Sequence, residues 1–288
     1  MEITQRNLRN RKKIVDLLDT EGMDIELLVA TEVLKLESLH YGFWDENADV
    51  TFENFKKAQA RYTEMLIDSI PDGVSSILDV GCGIGDNARA LARSGFRVTA
   101  ISPDRNHGKY VENLDEPIVF HNSTMETFDS EESFDLILLS ESQTYFDPKI
   151  TFRACNRYLN KPGYLLVSDI FNISPSFRRN GVTHTERQYV EDAERFDLRL
   201  SSSVDITERV LPSLELAHSV YASHARPALE IAIRYARKIA PVKYWLIKLL
   251  FNRQLRKIGR VVDYYEERLS PKYFTDELRY MRLLFHYG

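Results

Sequence analysis

A glycine-rich loop is the part of the sequence whose residue types and spacing point most directly to chemistry. It reads DVGCGIGD over residues 79–86, and it lies between a short apolar run and a helical pattern. Glycines let the backbone turn sharply and approach a ligand closely, and the N-terminus of the following helix offers free N–H groups. The stretch therefore predicts a loop that holds a small molecule at the end of a strand.

The acidic residue Asp79, two positions before the first glycine, indicates the class of ligand. A carboxylate gains nothing beside the pyrophosphate of a dinucleotide, and the G-x-G-x-G spacing differs from the dinucleotide pattern G-x-G-x-x-G. A cofactor with a cationic amine and no phosphate suits this carboxylate, and S-adenosylmethionine (SAM) is such a cofactor. A dinucleotide oxidoreductase and a glycine turn without any ligand remain the alternatives.

The stretch LDVGCGIG (78–85) resembles the first motif of the class I SAM-dependent methyltransferases. The resemblance covers residues 40–207, and the last apolar run of the chain also fits it. It implies an α/β fold, Rossmann-like, with a seven-stranded mostly parallel sheet and helices on both faces. SAM would lie across the carboxyl ends of the strands and be converted to S-adenosylhomocysteine.

Two elements near the N-terminus are similar to those of the cyclopropane synthases and the tocopherol-type methyltransferases. HYGFW (40–44) resembles an element in which a tyrosine lies over the methionine end of the cofactor. Ala58-Gln59 resembles a pair whose amide approaches the cofactor. The alternatives are aromatic packing between helices and an exposed amide.

Two further stretches would contact the ribose and the adenine. In ISPDRNH (101–107), Asp104 stands where many family members have the acid that binds the ribose, with Ser102 and Asn106 nearby. The cyclopropane synthases have a Ser-x-x-Gln-like element there instead, and this stretch is more similar to theirs, with Asn106 or Arg105 in place of the Gln. A solvated turn with a helix N-cap is the alternative. In NSTME (122–126) the usual aspartate is absent, so Ser123 or Asn122 would accept the adenine amino hydrogen bond. Altogether the resemblance assigns to the cofactor Tyr41, Gln59, Asp79, Gly81, Cys82, Gly83, Gly85, Ser102, Asp104, Asn106, Ser123, Thr124, Met125 and Glu141.

Methyl transfer from a sulfonium is an in-line displacement, for which the protein supplies alignment, desolvation and sometimes a base. The catalytic candidates are Glu141, Tyr145 and His184: Glu141 and His184 as bases, and Tyr145, together with Gln143, facing the substrate. Cyclopropane synthases carry Glu-His where this sequence has Thr144-Tyr145, which argues against cyclopropanation. The sequence shows no Cys/His spacing typical of a zinc site, and no metal is expected.

Apolar runs alternate with helical patterns along the chain, and the strands and helices that they predict would position these residues. This alternation predicts a parallel sheet covered on both faces. The predicted strands are 76–81, 96–102, 117–122, 134–140, 163–171, 198–207 and 278–287. Helices are predicted at 4–40, 51–70, 86–94, 106–114, 148–159, 185–196 and within 208–265. The predicted parts are an N-terminal helical cover (1–70), a SAM-binding core (71–207), a helical lid insertion (208–270) and the last core strand (271–288).

The charge of the chain is distributed unevenly. The 288 residues carry a net charge of −5, yet residues 225–260 hold ten Lys/Arg and one acid. This basic segment is interpreted as a lid with an apolar inner face. The alternatives are peripheral contact with an anionic membrane and contact with an acyl carrier or another acidic partner. The acidic average argues against a nucleic-acid partner.

The remaining composition bounds the class of protein. Two cysteines, Cys82 and Cys155, exclude a disulfide framework. The polar N-terminus and the lack of a long apolar run predict a cytoplasmic protein. We interpret the sequence as a SAM-dependent methyltransferase of a small, lipophilic or natural-product-like substrate, with a C, N or O acceptor. A non-catalytic SAM-fold protein that binds a membrane or an acidic partner is the alternative, and the oligomeric state is open.

Overall fold

The computed structural model describes residues 19–20, 23–24, 27, 30–31, 34–175, 184–253, 256, 266 and 269–288. The strands in this part are β1 (Asp19–Thr20), β2 (Met23–Asp24), β3 (Ser76–Val80), β4 (Arg97–Ile101), β5 (Ile118–His121), β6 (Phe134–Ser140), β7 (Leu159–Asn172), β8 (Leu198–Asp205) and β9 (Leu278–Tyr287). The α-helices are α1 (Phe52–Ile67), α2 (Asp86–Arg93), α3 (Arg105–Val111), α4 (Pro148–Tyr158), α5 (Glu186–Glu194), α6 (Thr207–Val220), α7 (Arg226–Ile239), α8 (Pro241–Leu250) and α9 (Pro271–Glu277).

Strands β3 to β9 form one seven-stranded sheet in the order β5-β4-β3-β6-β7-β9-β8. The strands run parallel except β9, which is antiparallel to both of its neighbours. The first residues of β9 therefore lie at the same edge as the carboxyl ends of the other strands, and Leu278 pairs with Asn172. The predicted α/β class and mostly parallel seven-stranded sheet are confirmed.

The central strand β6 shows why the sheet is covered on both faces. Leu136 and Leu138 belong to one buried apolar cluster, while Ile137 and Leu139 belong to the other. Successive side chains of a strand point to opposite faces, so a continuous apolar run requires a core on each side. Helices α1, α2 and α6 pack on the first side, and α4 and α5 on the second.

The order of the strands defines where a ligand can bind. The chain proceeds from β3 outward through β4 to β5, and then returns to β6 on the other side of β3. Loops from the carboxyl ends of β3 and β6 thus diverge in opposite directions, which leaves a crevice at this switch point. The glycine loop follows β3, and Glu141 follows β6 directly.

The prediction of a helix over residues 4–40 is wrong at 19–20, 23–24 and 34–40, whereas Leu27, Ala30 and Thr31 are helical as predicted. Strands β1 and β2 pair antiparallel, and residues 34–40 have no regular structure. The carbonyls of Ser38 and His40 accept hydrogen bonds from the Gln59 side chain, so tertiary contacts override the helical pattern there. The remainder of the predicted helix lies outside the described residues.

The long helical stretch predicted over 208–265 is interrupted. Helices α6 and α7 are joined by a π-helical turn at Tyr221–Ala225, and the helix breaks at Ala240, with φ −141° and ψ 58°. Pro241 explains the break, because proline lacks an N–H and disfavours helical backbone at the preceding residue. Most of 254–265 lies outside the described residues. No helix in the part that the structure describes is long and apolar enough to cross a bilayer.

Candidate functional site

The glycine loop at the switch point takes its shape from left-handed backbone. Gly81, Gly83 and Gly85 have φ values of 77°, 55° and 85°, which residues with a side chain rarely adopt. A Cβ on Gly81 would lie 2.5 Å from the Cβ of Ser142, whereas a Cβ on Gly83 would meet only Leu39, at 3.9 Å. Gly81 is therefore required by packing between the β3 and β6 loops, and Gly83 borders open space.

The carboxylate of Asp79 lies beneath this loop and lacks a full set of partners. The residue is 1% exposed, and its Oδ2 has no hydrogen-bond partner among the described residues. Burial raises the pKa of Asp79 to about 7, and the negative charge of Asp86 adds to the rise, while His40 lowers it. An unpaired buried acceptor is costly, so the site fits a ligand that brings a cationic donor. The amine of SAM is such a donor.

His40 ties the N-terminal segment to the start of α2. Its Nε2 lies 2.8 Å from Oδ2 of Asp86, and its Nδ1 lies 2.6 Å from the carbonyl oxygen of Tyr41. Burial lowers the pKa of His40, but the Asp86 carboxylate, the charge of Glu141 and the hydrogen bond to the Tyr41 carbonyl together outweigh this effect, and the net change is a rise. His40 thus fixes the segment that carries Tyr41, and the rise in its pKa favours its positively charged form close to Asp79.

Gln59 holds the same segment from α1. Its Nε2 donates to the carbonyl oxygens of Ser38 at 3.0 Å and His40 at 2.8 Å. The neighbouring Gly42 lets the backbone approach the helix, because a Cβ there would lie 2.6 Å from the Cβ of Ala58. The amide nitrogen of Gln59 therefore hydrogen-bonds to the backbone of the segment that carries Tyr41.

A buried polar network surrounds Glu141 at the end of β6. Glu141 has a left-handed backbone, with φ 55°, and its Oε1 accepts hydrogen bonds from the Tyr41 N–H and the Tyr280 hydroxyl, both at 2.8 Å. The hydroxyls of Tyr280 and Tyr62 lie 2.8 Å apart, and Tyr62 also donates to Ser168 Oγ. The segment before α1 and strand β9 thus contact this carboxylate directly, while Tyr62 of α1 and Ser168 of β7 extend the network through Tyr280.

The protonation of this network follows from its burial. Burial raises the pKa of Glu141, although His40 and the two hydrogen bonds oppose the rise. Burial and the charge of Glu141 raise the pKa of Tyr280 well above its ordinary value, so this hydroxyl keeps its proton and donates. Sequence reasoning did not single out Tyr62 or Tyr280. The signal that could have found them is a hydroxyl group in an otherwise apolar element, since Tyr280 lies in an apolar strand and Tyr62 on the buried face of an amphipathic helix.

The predicted ribose contacts lie in a tight turn after β4. Ser102 is buried, and its Oγ lies 3.3 Å from His107 Nδ1 and accepts from the Asp104 N–H at 3.3 Å. Asp104 caps α3, since its Oδ1 accepts from the Asn106 N–H at 2.7 Å. One Asp104 oxygen thus caps the N-terminus of α3. The hydrogen bonds of this turn bring Ser102, Asp104 and Asn106 together at the sheet edge.

The predicted adenine contacts follow β5. Ser123 Oγ is buried and has no hydrogen-bond partner among the described residues, and Met125 is buried beside it in sequence. Thr124 forms a local turn with Thr127, their hydroxyl oxygens being 3.1 Å apart. Cys82, on the glycine loop, is buried, which raises the pKa of its thiol. Ser123 therefore offers the free polar atom expected of a site that hydrogen-bonds a base edge.

The predicted substrate-facing residues are placed differently from one another. Tyr145 is 66% exposed in the 3₁₀ turn Gln143–Tyr145 at the carboxyl edge of the sheet. The carbonyl of His184 accepts a hydrogen bond from the Asn172 N–H, and its Nε2 lies 4.0 Å from Asp192 Oδ2 of α5. The structure thus places His184 next to the end of β7 and beside α5.

The prediction that Gln143 faces the substrate is wrong. Its side chain is buried, and its Oε1 accepts hydrogen bonds from Thr151 Oγ1 at 2.7 Å and Tyr189 OH at 2.8 Å. Its backbone N–H donates to Asp169, whose other oxygen accepts from Ile170. Gln143 therefore anchors the loop after β6 to the core. The described residues contain no group of three His, Cys, Asp or Glu side chains that could hold a metal ion.

Comparison with known proteins agrees with this arrangement. Residues 47–202 match a family model described as a methyltransferase domain. The chain belongs to the class I SAM-dependent methyltransferases. The glycine loop, Asp79 and Glu141 all lie inside the matched region.

Two curated relatives are similar to this chain in sequence, and one solved structure is similar to it in fold. The methyltransferase GfsG of Streptomyces halstedii is 29% identical over 154 residues, covering 49% of this chain and 55% of GfsG. The 27-O-demethylrifamycin SV methyltransferase of Amycolatopsis mediterranei is 30% identical over 150 residues, covering 49% of this chain and 53% of the relative. These matches span about half the length of each relative. The geranyl diphosphate C-methyltransferase of Streptomyces coelicolor shares the fold, with a TM-score of 0.62, 16% identity and coverage of 96% and 97%.

Proposed function

We propose that this chain transfers a methyl group from SAM to a small, lipophilic acceptor molecule. The observation that carries the proposal is the buried Asp79, whose free carboxylate oxygen lies under the glycine loop at the switch point. The family match supports SAM as the cofactor. The relatives' names, which include a rifamycin methyltransferase, support a natural-product-like substrate.

The residues around the crevice suggest how SAM would be held. Asp79 would receive the amine of the methionine end, Gly83 would let the backbone approach the cofactor, and Ser123 would accept from the adenine amino group. Ser102, Asp104 and Asn106 would contact the ribose, with Met125 packing on the adenine. Gly81, Cys82, Gly85 and Thr124 would shape the loops, Tyr41 would cover the methionine end, and Gln59 would position Tyr41.

SAM supplies an electrophilic methyl group on a sulfonium, so the protein's part is to orient the acceptor, exclude water and manage one proton. Both hydrogen bonds to Glu141 engage Oε1, which leaves Oε2 as the oxygen proposed to accept a proton from the acceptor atom. The raised pKa of Glu141 makes it a stronger base. Tyr280 acts as a positioning residue, and Tyr145 and His184 line the substrate side.

A radiolabel experiment tests the proposal. The full chain is incubated with methyl-labelled SAM and an organic extract of cellular metabolites, and labelled products are separated and identified. We expect label in a lipophilic product, with an equal amount of S-adenosylhomocysteine. Glu141→Gln should retain SAM binding and lose about 10²- to 10⁴-fold in kcat, because the variant cannot accept a proton.

The exposed Glu131 provides the matched control, since Glu131→Gln removes the same charge away from the crevice. Its rate should equal that of the unmodified chain. SAM binding without transfer to any extract would favour a non-catalytic SAM-fold protein instead. Failure to bind SAM would refute the proposal altogether. Contact of residues 225–260 with an anionic membrane or an acyl carrier is a separate proposal.

A further inference from the structure

Helices α7 and α8 and the following Phe251 form a surface that the rest of the described chain leaves uncovered; we call residues 226–251 the α7–α8 surface. All of α7 is exposed, and α8 is exposed except for the half-buried Tyr244. This surface contains more than half of the large apolar side chains that are exposed in the described structure. They are Leu229, Ile231, Ile233, Tyr235, Ile239, Val242, Trp245, Leu246, Ile247, Leu249, Leu250 and Phe251.

Helix α7 separates its side chains by polarity. Its five charged residues project to one side of the helical wheel, and the opposite side is apolar and broad. The apolar side contains Ile231 at 67% exposure and Ile239 at 62%. In a globular protein such a face normally lies on a core, so this one is arranged for a partner outside the described chain.

Helix α8 differs, because it is apolar on nearly all sides. Only Lys243 and Lys248 interrupt its run of apolar residues, and they lie on different sides of the helix. Trp245 is 60% exposed and Leu250 is 70% exposed. A helix that is apolar all round belongs in an apolar surrounding, and a protein surface that contacts one side would leave the rest in water.

The net positive charge of the α7–α8 surface favours a negatively charged partner. Residues 226–253 contain seven Lys/Arg and one acid, Glu230. Arg226 and Arg234 lie within ion-pair distance of Glu230. The side chains of Lys238, Lys243, Lys248 and Arg253 have no acidic partner within that distance among the described residues. A second copy of the same surface would bring like charges together, which opposes self-association.

We propose that the α7–α8 surface docks on an anionic lipid bilayer. The apolar side of α7 and the whole of α8 would enter the boundary between headgroups and acyl chains. The aromatic Trp245, Tyr235 and Tyr244 are suited to this boundary, and the lysines can extend to the phosphates while their stems stay in the apolar layer. The proposal does not depend on methyl transfer, but it would place the crevice close to lipophilic acceptors.

Vesicle sedimentation tests the docking. The full chain is mixed with vesicles of phosphatidylcholine alone, or of phosphatidylcholine with about 30% phosphatidylglycerol, at low and at high salt. We expect strong binding to the anionic vesicles that weakens with salt. The triple variant Lys238→Gln, Lys243→Gln, Lys248→Gln should bind about a hundredfold more weakly, since each cation contributes about fivefold near an anionic surface.

Two further variants separate charge from apolar insertion. Trp245→Ala should weaken binding about tenfold or more, because a buried aromatic side chain is lost from the lipid. The matched control is Lys57→Gln, Lys149→Gln, Lys272→Gln, which removes three exposed lysines elsewhere and should bind like the unmodified chain. SAM binding should be unchanged in all variants, which shows that they fold.

Several results would overturn the proposal. One is the absence of binding to anionic vesicles, and another is binding that the lysine triple variant leaves intact. A third is a concentration-dependent dimer that Trp245→Ala dissociates, without vesicle binding, since this would assign the surface to a second copy. Binding to an acyl carrier protein but not to vesicles would assign it to an acidic protein. A chain that binds vesicles and fails to methylate would leave this proposal standing and refute only the proposed function.

Discussion

The carboxyl edge of the sheet and the α7–α8 surface are built on opposite principles. At the sheet edge, polar side chains are buried and paired with one another, as with Glu141, Tyr280 and Tyr62, and Asp79 keeps an acceptor free. On the α7–α8 surface, apolar side chains lie in water. The sheet edge is therefore preorganised for a small ligand by internal contacts, whereas the helices require a surface from outside. Substitutions in the two regions should behave differently.

The largest expected difference concerns apolar truncations. Leu138→Ala, in the buried centre of β6, should lower the free energy of unfolding by about 2–5 kcal/mol through lost contacts and a cavity. Leu249→Ala, on the exposed α8, should change it by less than about 0.5 kcal/mol. Chemical denaturation of both variants measures the contrast. A loss at Leu249 as large as that at Leu138 would show that the chain itself covers α8.

The next contrast lies within the glycine loop. Gly81→Ala should cost about 2–4 kcal/mol of stability, since the new Cβ would overlap Ser142 and the left-handed backbone is strained. Gly83→Ala should cost only about 1–2 kcal/mol, from backbone strain alone. It should nevertheless weaken SAM binding, measured by calorimetry, because the methyl group would occupy the side open to the cofactor. Unchanged SAM affinity in folded Gly83→Ala would remove that glycine from the proposed site.

A smaller effect is expected from the Tyr280 hydroxyl. Tyr280→Phe removes a donor to Glu141, which should lower stability by about 1–2 kcal/mol. The hydrogen bond holds down the pKa of Glu141, so its loss should shift the rise of kcat with pH towards higher pH.

Tyr158→Phe is the matched control for that substitution. Its buried hydroxyl donates to the carbonyl of Phe128, away from Glu141. It should cost similar stability and leave the pH profile of kcat in place. A pH profile that moves equally in both variants, or in neither, would contradict the positioning role of Tyr280.

The sequence was informative where short-range patterns determine the structure. The runs at 76–81 and 134–140 are short and largely apolar, as expected of strands buried on both faces, and β3 and β6 formed there. The glycine loop was visible because its residues are consecutive. The network around Glu141 was not, because Tyr41, Tyr62 and Tyr280 come from distant parts of the chain.

The errors have the same origin. Residues 34–40 carry a helical pattern, but their carbonyls bind Gln59, a contact that no local pattern reveals. Gln143 follows the strand where a substrate-facing residue is expected, yet Thr151 and Tyr189 hold it in the core. Side-chain direction in loops depends on partners elsewhere in the fold, and a single sequence does not identify them.

The proton balance of cofactor binding tests the central claim most directly. Folding raises the pKa of Asp79 from its ordinary 3.8 to about 7, so the folded protein holds a proton that the unfolded chain releases. In the absence of a ligand, Asp79 therefore lowers the free energy of unfolding as pH rises from about 4 to about 7. A cationic amine favours the ionised carboxylate, so binding below pH 7 must release this proton.

The measurement is calorimetric titration of SAM over this pH range, in buffers of different ionisation enthalpy, with the unmodified chain and Asp79→Asn. We predict SAM affinity that falls by up to about tenfold for each pH unit below about 7, with release of up to one proton. Asp79→Asn should bind SAM more weakly at pH 7.5 or so and lose this pH dependence. Equal affinity and equal pH dependence in the two proteins would contradict the assignment of Asp79 to the cofactor amine.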